Sequence, residues 1–436
     1  MIRLFDLTLI FSGFPIRTAQ RQFDAIVAIP ESGYSYFSEQ ARLNIAQYHI
    51  VHNAFYREIS GMSMLPAWEQ LPVLCKKDLQ RPLSSRLSVG YKPGKVYVNK
   101  TSGSSGAPFI FAKDKYCHAL TWASYIWRFG WYGIDFNRAL QARFYGIPKD
   151  FVGYHKERLK DRLSNRYRFP IFDLSDTVLE KYLHEFKVRK FDYINGYTSA
   201  IVLFAKYLLS KNIVLHDLCP TLKVCMVTSE MLFDEDRLLL QQQLGIPIVN
   251  EYGASELDLI AFENISGEWQ VNSETLYVEI LDAQDNVLPY GEEGRIVITA
   301  LYNKAHPFVR YDIGDIGVLH PHSTAKKPIL KRLTGRTNDI AILPSGKKSP
   351  GLTFYYITKT VIEQDGNVKE FVITQVKTDR FVIEYVSDRP LSEFDVKNVE
   401  AAAALYLEPG LHFEFVRKSL LQRSARGKLK QFTAAL

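Results

Sequence analysis

Cysteine is scarce. The 436 residues contain four, Cys75, Cys117, Cys219 and Cys225, with neither a CxxC pair nor zinc-ligand spacing to the histidines. That excludes a disulfide framework and a zinc knuckle, and a reducing cytoplasm suits such a chain best. No stretch is long and uncharged enough to span a bilayer. The apolar start from Met1 to Ile16 contains Asp6, has only Arg3 ahead of it and runs into Arg17-Thr18-Ala19-Gln20-Arg21. It lacks a small-residue cleavage site, so it is expected to be folded structure and not a signal peptide. Internal repeats and low-complexity tracts are missing too. The formal net charge of +7 lies in a charge-mixed, aromatic-rich sequence without a DNA- or RNA-binding motif, which argues against nucleic acid as partner.

What is present is core material. With 47% apolar and 13% aromatic residues, the chain can bury a large interior and build more than one domain. From Asp176 onward helical and strand patterns alternate. Val178, Leu179, Tyr182, Leu183 and Phe186 form a helical stripe, Phe191 to Asn195 reads as a short strand, and Ala200, Leu203, Phe204, Tyr207 and Leu208 mark the next helix. The apolar runs Leu222 to Val227 and Ile246 to Val249 bracket a helix from Asp234 that stops at Gly245. This is the pattern of a parallel α/β sheet. Both runs end in polar loops, Thr228-Ser229-Glu230 and Asn250 to Glu256, where open α/β sheets bind ligands.

Segments Thr275 to Ile280, Gly294 to Leu301 and Phe308 to Leu319 are β-rich and predict a smaller antiparallel or barrel-like region. After about Gly335 the character changes. Phe371 to Val376 and Phe381 to Val386 predict a hairpin around Thr378-Asp379-Arg380, followed by a helix from Ser392 to Leu407 and a strand from Phe413 to Val416.

The segment Thr101-Ser102-Gly103-Ser104-Ser105-Gly106-Ala107-Pro108 combines glycines that permit tight positive-φ turns with four hydroxyls beside exposed amides, a loop that can wrap phosphate oxygens. It is not a Walker A loop, because no Lys-Ser or Lys-Thr follows a glycine at the required spacing. Taken alone it also fits a flexible Ser/Gly linker. Four further motifs follow it in order: Tyr252-Gly253-Ala254-Ser255-Glu256, Arg310-Tyr311-Asp312-Ile313-Gly314-Asp315, Gly335-Arg336-Thr337-Asn338-Asp339 and Gly427-Lys428. From about residue 70 to the end, the chain therefore resembles the acyl-adenylate-forming superfamily. Leu71-Pro72-Val73-Leu74 with Lys76 and Asp78, and Leu301-Tyr302-Asn303, resemble its phenylacetate-CoA ligase and CapK-like branch.

That resemblance implies an α/β fold: a large N-terminal α/β domain with a β-rich subdomain, residues 1–334, and a small, mobile α+β C-terminal lid, residues 335–436. It implies ATP-dependent activation of a carboxylic acid to an acyl-AMP, then transfer to a thiol, with CoA the expected acceptor. A carrier protein or an amine is the alternative acceptor, as in polysaccharide or secondary-metabolite biosynthesis, and a non-catalytic nucleotide- or acyl-binding homologue is a further reading. Thr101, Ser102, Gly103, Ser104, Ser105 and Gly106 would hold the β- and γ-phosphates. Glu256 would hold Mg²⁺, which favours hard oxygen ligands. Ser229, Glu230, Met231, Asn250, Glu251, Tyr252 and Gly253 would line the nucleotide, Asp315 would accept from both ribose hydroxyls, and Arg336 would add a cation. Asn338 stands at the expected domain hinge. Lys428 would bridge the attacking carboxylate and the α-phosphate, with Lys430 the competing assignment.

Tyr145 and Tyr197, with Tyr252 and Gly253, are candidates for the acyl pocket, whereas Trp122, Tyr125, Ile126 and Phe129 have helical spacing and are expected in the core. The lysine that many members carry after the loop proline is replaced by Phe109. The basic stretch from Lys156 to Arg168 is expected to be a solvated face, its alternative a docking surface for a carrier protein or for CoA phosphates.

Overall fold

A computed structural model describes residues 4–101, 109–147, 151–336, 340–350, 368–423 and 429–435. They divide into two compact units, one of Met1–Ile313 with Gly317–Arg332 and one of Gly314–Ile316 with Leu333–Leu436. The fold is mixed α/β. No described helix is long and apolar enough to cross a membrane, and all four cysteines are free thiols.

The start of the chain is helical, as its composition suggests: Leu4–Phe11, then Ile16–Val27, then Glu31–His52. Ile16, Ala19, Phe23 and Ile26 bury one stripe of the second helix, the spacing an amphipathic helix needs. Ala19 and Phe23 pack against Ala119, Leu120 and Ala123 of the helix Lys115–Gly130.

A seven-stranded sheet organises this unit, in the order Trp269–Val271, Asp258–Glu263, Ile248–Ala254, Val224–Thr228, Tyr193–Tyr197, Gln141–Phe144 and Arg166–Phe169. The last five are parallel, and the first two add antiparallel strands at one edge. Helices Asp176–Val188, Thr198–Ser210 and Asp234–Leu244 cover one face through Leu179, Phe186, Phe204, Leu208, Leu240 and Leu244. The third of these ends at Gly245 in a left-handed C-cap with φ 69°, as the sequence pattern requires. The other face meets Phe129, with Tyr193, Met226, Val249 and Phe262 around it.

One strand is displaced from its expected place. It runs from Tyr193 to Tyr197 and not from Phe191 to Asn195. Phe191 is buried, but in a ring cluster with Phe169 and Phe186, so its hydrophobicity reflects packing and not ladder pairing. Arg168 departs from the expected solvated basic face: it is buried, bonded to Asp161 at 2.7 and 2.9 Å and to Glu157 at 2.9 Å. Lys156 and Lys160 are exposed.

The β-rich region is a second sheet in which Leu74–Cys75, Tyr311–Leu319, Glu293–Ala300 and Leu276–Leu281 lie side by side. Arg310, at the entry to the longest of these strands, is fully buried with φ 45°. It donates to the carbonyls of Glu69 and Leu71 at 3.0 and 2.7 Å and faces Glu279 at 3.6 Å. It therefore ties the segment before residue 74 to the sheet.

In the second unit, Val368–Lys377 and Arg380–Ser387 form the expected hairpin. His412–Arg417 and Phe432–Ala434 add parallel strands on its two sides. The helix Glu393–Tyr406 opens with a capping box between Ser392 and Asp395, which satisfies backbone donors that have no partner in the first turn.

Candidate active site

The hydroxyl-rich loop leaves a two-stranded hairpin, Tyr97–Lys100 with Ile110–Lys113. Its neck is closed by the Thr101 amide donating to the Phe109 carbonyl at 2.9 Å and the Phe109 amide donating to Thr101 Oγ1 at 3.1 Å. Ser102, Gly103, Ser104, Ser105 and Gly106 lie outside the described residues, as do Asn338 and Lys428. Phe109, standing where a lysine is common, points inward: it is 1% exposed, against Phe111, His306 and Phe308.

The carboxyl ends of the parallel strands hold the next group. Ser229 follows its strand at φ 72°, a left-handed turn that lets the chain reverse there. The Glu230 carboxylate accepts from the Ser199 amide at 2.7 Å, in the first turn of a helix where a negative charge is favoured. Met231 is half-buried. The Asn250 amide is fixed by Glu263 at 2.7 Å, and Tyr252 is buried edge-to-face against Trp269, ring centroids 5.8 Å apart.

Gly253 has a steric reason to be glycine. A Cβ there would sit 2.5 Å from the Asp258 carbonyl oxygen, because the Tyr252 to Glu256 segment turns back tightly on the strand that follows. Asp258, at φ 58°, is held in turn by an ion pair with the buried Lys113 and by Thr121 Oγ1 at 2.7 Å. Lys113 comes from the hairpin that carries the hydroxyl-rich loop, so one ion pair fixes two of the sequence motifs to each other. The sequence does not signal this pair, because its partners are 145 residues apart.

Glu256 is 7% exposed and accepts a 3.0 Å hydrogen bond from Tyr311 on one carboxylate oxygen. Burial, and then the Glu256 carboxylate itself, push the Tyr311 phenol far up, so Tyr311 stays a donor at any physiological pH. No described residue bonds to the second oxygen, which leaves Glu256 one free coordination position. Among the described residues no group of three or more metal-ligating side chains occurs. One carboxylate suits Mg²⁺, an ion that keeps waters and takes most of its other ligands from phosphates.

Asp312 is engaged by Arg295 at 2.9 Å. Asp315, 5% exposed, lies on the strand Tyr311–Leu319. Arg336 is the last residue of the strand Leu330–Arg336.

A polar row completes the strand ends. Tyr197 pairs with Thr228 and Thr228 with Glu251 in register across adjacent parallel strands, so the three side chains share one face of the sheet. Thr228 Oγ1 and the Tyr125 hydroxyl donate to one Glu251 oxygen at 3.1 and 3.5 Å. Tyr125, expected in the core, packs against Phe129 and its neighbours there and also reaches this carboxylate. Tyr145 packs on Tyr197 with ring centroids 4.6 Å apart, and the Arg143 guanidinium lies 4.1 Å over the Tyr145 ring. Burial raises the Glu251 carboxyl to about 7, against the lowering effects of Thr228, Arg143 and Tyr125.

No protein-family model matches the chain. Comparison with curated proteins finds protein CapK of Staphylococcus aureus, 25% identical over 84% of this chain and 82% of CapK. The phenylacetate-coenzyme A ligase of Pseudomonas putida is 33% identical over 29% of this chain and 30% of that enzyme. Among solved structures, 2-hydroxyisobutyryl-CoA ligase in the postadenylation state superposes with a TM-score of 0.71 at 15% identity, covering 92% of this chain and 90% of that one. The chain is thus similar over most of its length to CapK, and its fold is that of 2-hydroxyisobutyryl-CoA ligase.

Proposed function

We propose that this chain activates a carboxylic acid with ATP, releasing pyrophosphate and forming an acyl-AMP, and then passes the acyl group to the thiol of CoA. The observation that carries this reading is the Glu256 carboxylate, held by Tyr311 at the ligand-binding ends of the sheet with one oxygen open. Similarity to CapK and, over a shorter stretch, to phenylacetate-coenzyme A ligases supports it, as does a structure of the same fold that carries an acyl-AMP and CoA.

In this proposal the carboxylate attacks the α-phosphorus, the bond to the pyrophosphate oxygen breaks, and the thiol sulfur later displaces AMP from the acyl carbon. No protein nucleophile is needed, so rate acceleration comes from alignment and charge stabilisation. The loop from Thr101 to Gly106 wraps the β- and γ-phosphates, and Glu256 would hold Mg²⁺, an ion that would supply charge neutralisation for the phosphates. Tyr252, Gly253, Asn250 and the Ser229 to Met231 turn line the nucleotide, Asp315 and Arg336 take the ribose side, and Lys428 stabilises charge at phosphorus. Asn338 is the pivot of the 335–436 lid.

The match to CapK covers far more of the chain than the match to the P. putida ligase. That favours, as a second reading, a carrier-bound thiol or an amine as acceptor. Carboxylate-dependent ATP–pyrophosphate exchange over aryl, aliphatic and amino acids tests the first half-reaction, and CoA-thioester analysis the second. Exchange without any CoA thioester moves the second reading ahead. Exchange unchanged in both Glu256→Ala and Lys428→Ala rejects the residue assignments.

A further inference from the structure

Glu251, set by the resemblance among the nucleotide-lining residues, lies in register with Thr228 and, one strand further, with Tyr197 of the candidate acyl pocket. The row Tyr197, Thr228 and Glu251 faces the same side of the sheet as Arg143, which is one row further in: Arg143 pairs with Asn195, Asn195 with Met226 and Met226 with Val249. Glu251 receives both of its described hydrogen bonds on one oxygen, and no described residue donates to the other. Arg143 forms no described ion pair, and its Nε is buried without a partner. Asp161 and Glu157 are taken by Arg168 of the neighbouring strand. An acceptor oxygen and a guanidinium whose charges interact therefore face the same side of the sheet, unjoined, with the Tyr145 and Tyr197 rings at the ends of the strands beside and between them.

We propose that the acid activated here carries a hydroxyl group remote from its carboxylate, donating to Glu251 and accepting from Arg143, with Tyr145 and Tyr197 along the intervening acyl group. This rests on the adenylation reading and names its substrate class. The choice among polar groups follows from the two partners. A hydroxyl donates once and accepts twice, so it satisfies both. An ammonium would suit Glu251 and face the Arg143 charge, and a second carboxylate would suit Arg143 and face Glu251. A hydrogen or methyl would leave both protein groups desolvated and unpaired, which a site built to bond a hydroxyl rejects strongly.

The test is ATP–pyrophosphate exchange with matched pairs of acids: benzoate against hydroxybenzoates, phenylacetate against hydroxyphenylacetates, hexanoate against hydroxyhexanoates, with aminobenzoates and dicarboxylates as charged controls. The hydroxylated member of at least one pair is expected to show kcat/KM roughly a hundredfold above its parent, within the range such sites reach. Glu251→Gln, which keeps the shape and an acceptor oxygen, should retain part of that ratio. Glu251→Leu combined with Arg143→Met should bring it to about one or below. Each variant is checked for native fluorescence first. Parent acids used as well as their hydroxylated partners, or a preference for the amino or dicarboxylic controls, overturns the hydroxyl while leaving adenylation standing. Exchange with no acid at all overturns adenylation and this inference together.

Discussion

Replacing Glu251 by Gln should make the protein more stable above neutral pH and leave it nearly unchanged in mild acid. Burial raises the Glu251 carboxyl from 4.5 to about 7. Between those values the folded chain binds a proton that the unfolded chain has released, so stability falls as pH rises through that window. The contribution is fully present below 4.5 and lost above about 7. At about 1.4 kcal/mol per pH unit, the span corresponds to at most about 3 kcal/mol, less whatever solvent screens at a side chain that is only half-buried. Facing groups are Tyr125 from the neighbouring helix, Thr228, Arg143 and Asp258. Of these, Asp258 opposes ionisation, as burial does, and the others favour it.

Gln keeps the acceptor for Thr228 and cannot ionise. The difference in unfolding free energy between variant and wild type should thus be near zero at pH 4.5, rise through pH 6 and level off above pH 7.5, a span set by the shift from 4.5 to about 7. Urea unfolding followed by tryptophan fluorescence measures this in the right place. All five tryptophans, Trp68, Trp122, Trp127, Trp131 and Trp269, fall in the first unit with Glu251. A difference that does not change with pH, or a wild type that gains on the variant as pH rises, refutes the account of Glu251.

Arg310→Lys should cost about 3–5 kcal/mol, because a lysine cannot reproduce the fork that holds Glu69 and Leu71 and it leaves Glu279 poorly paired in the interior. The urea midpoint reads this directly. Gly253→Ala should lower both the midpoint and the exchange rate, since the added carbon meets the Asp258 backbone and no flexible side chain can give way. Crystallography of the variant should find the Tyr252 to Glu256 segment displaced. Glu256→Gln should reduce exchange by more than tenfold and raise the Mg²⁺ concentration needed, while the loss at its Tyr311 bond stays within about 1 kcal/mol.

Legibility in the sequence followed the range of the interactions. The parallel strands and their helices were readable because Leu222 to Val227 and the Leu179, Leu183, Phe186 stripe express local periodicity, and Gly245 marks a stop by its own conformational freedom. The Tyr193–Tyr197 strand was misplaced by two residues because Phe191 is as hydrophobic as a strand residue while packing elsewhere. The polar loops after the strands could be found by position, but not what each side chain there does. Glu230 braces a helix, Arg310 is a buried strut, and Tyr125 bonds a carboxylate, all through partners distant in sequence. The Lys113–Asp258 pair had no local signal at all.

The central claim, that the acid's own carboxylate attacks the α-phosphorus, is tested most directly by oxygen-labelled carboxylate. With an acid that supports exchange, one labelled oxygen should appear in AMP and none in pyrophosphate. Label that stays out of AMP, or ADP and labelled inorganic phosphate in place of AMP and pyrophosphate, would contradict it.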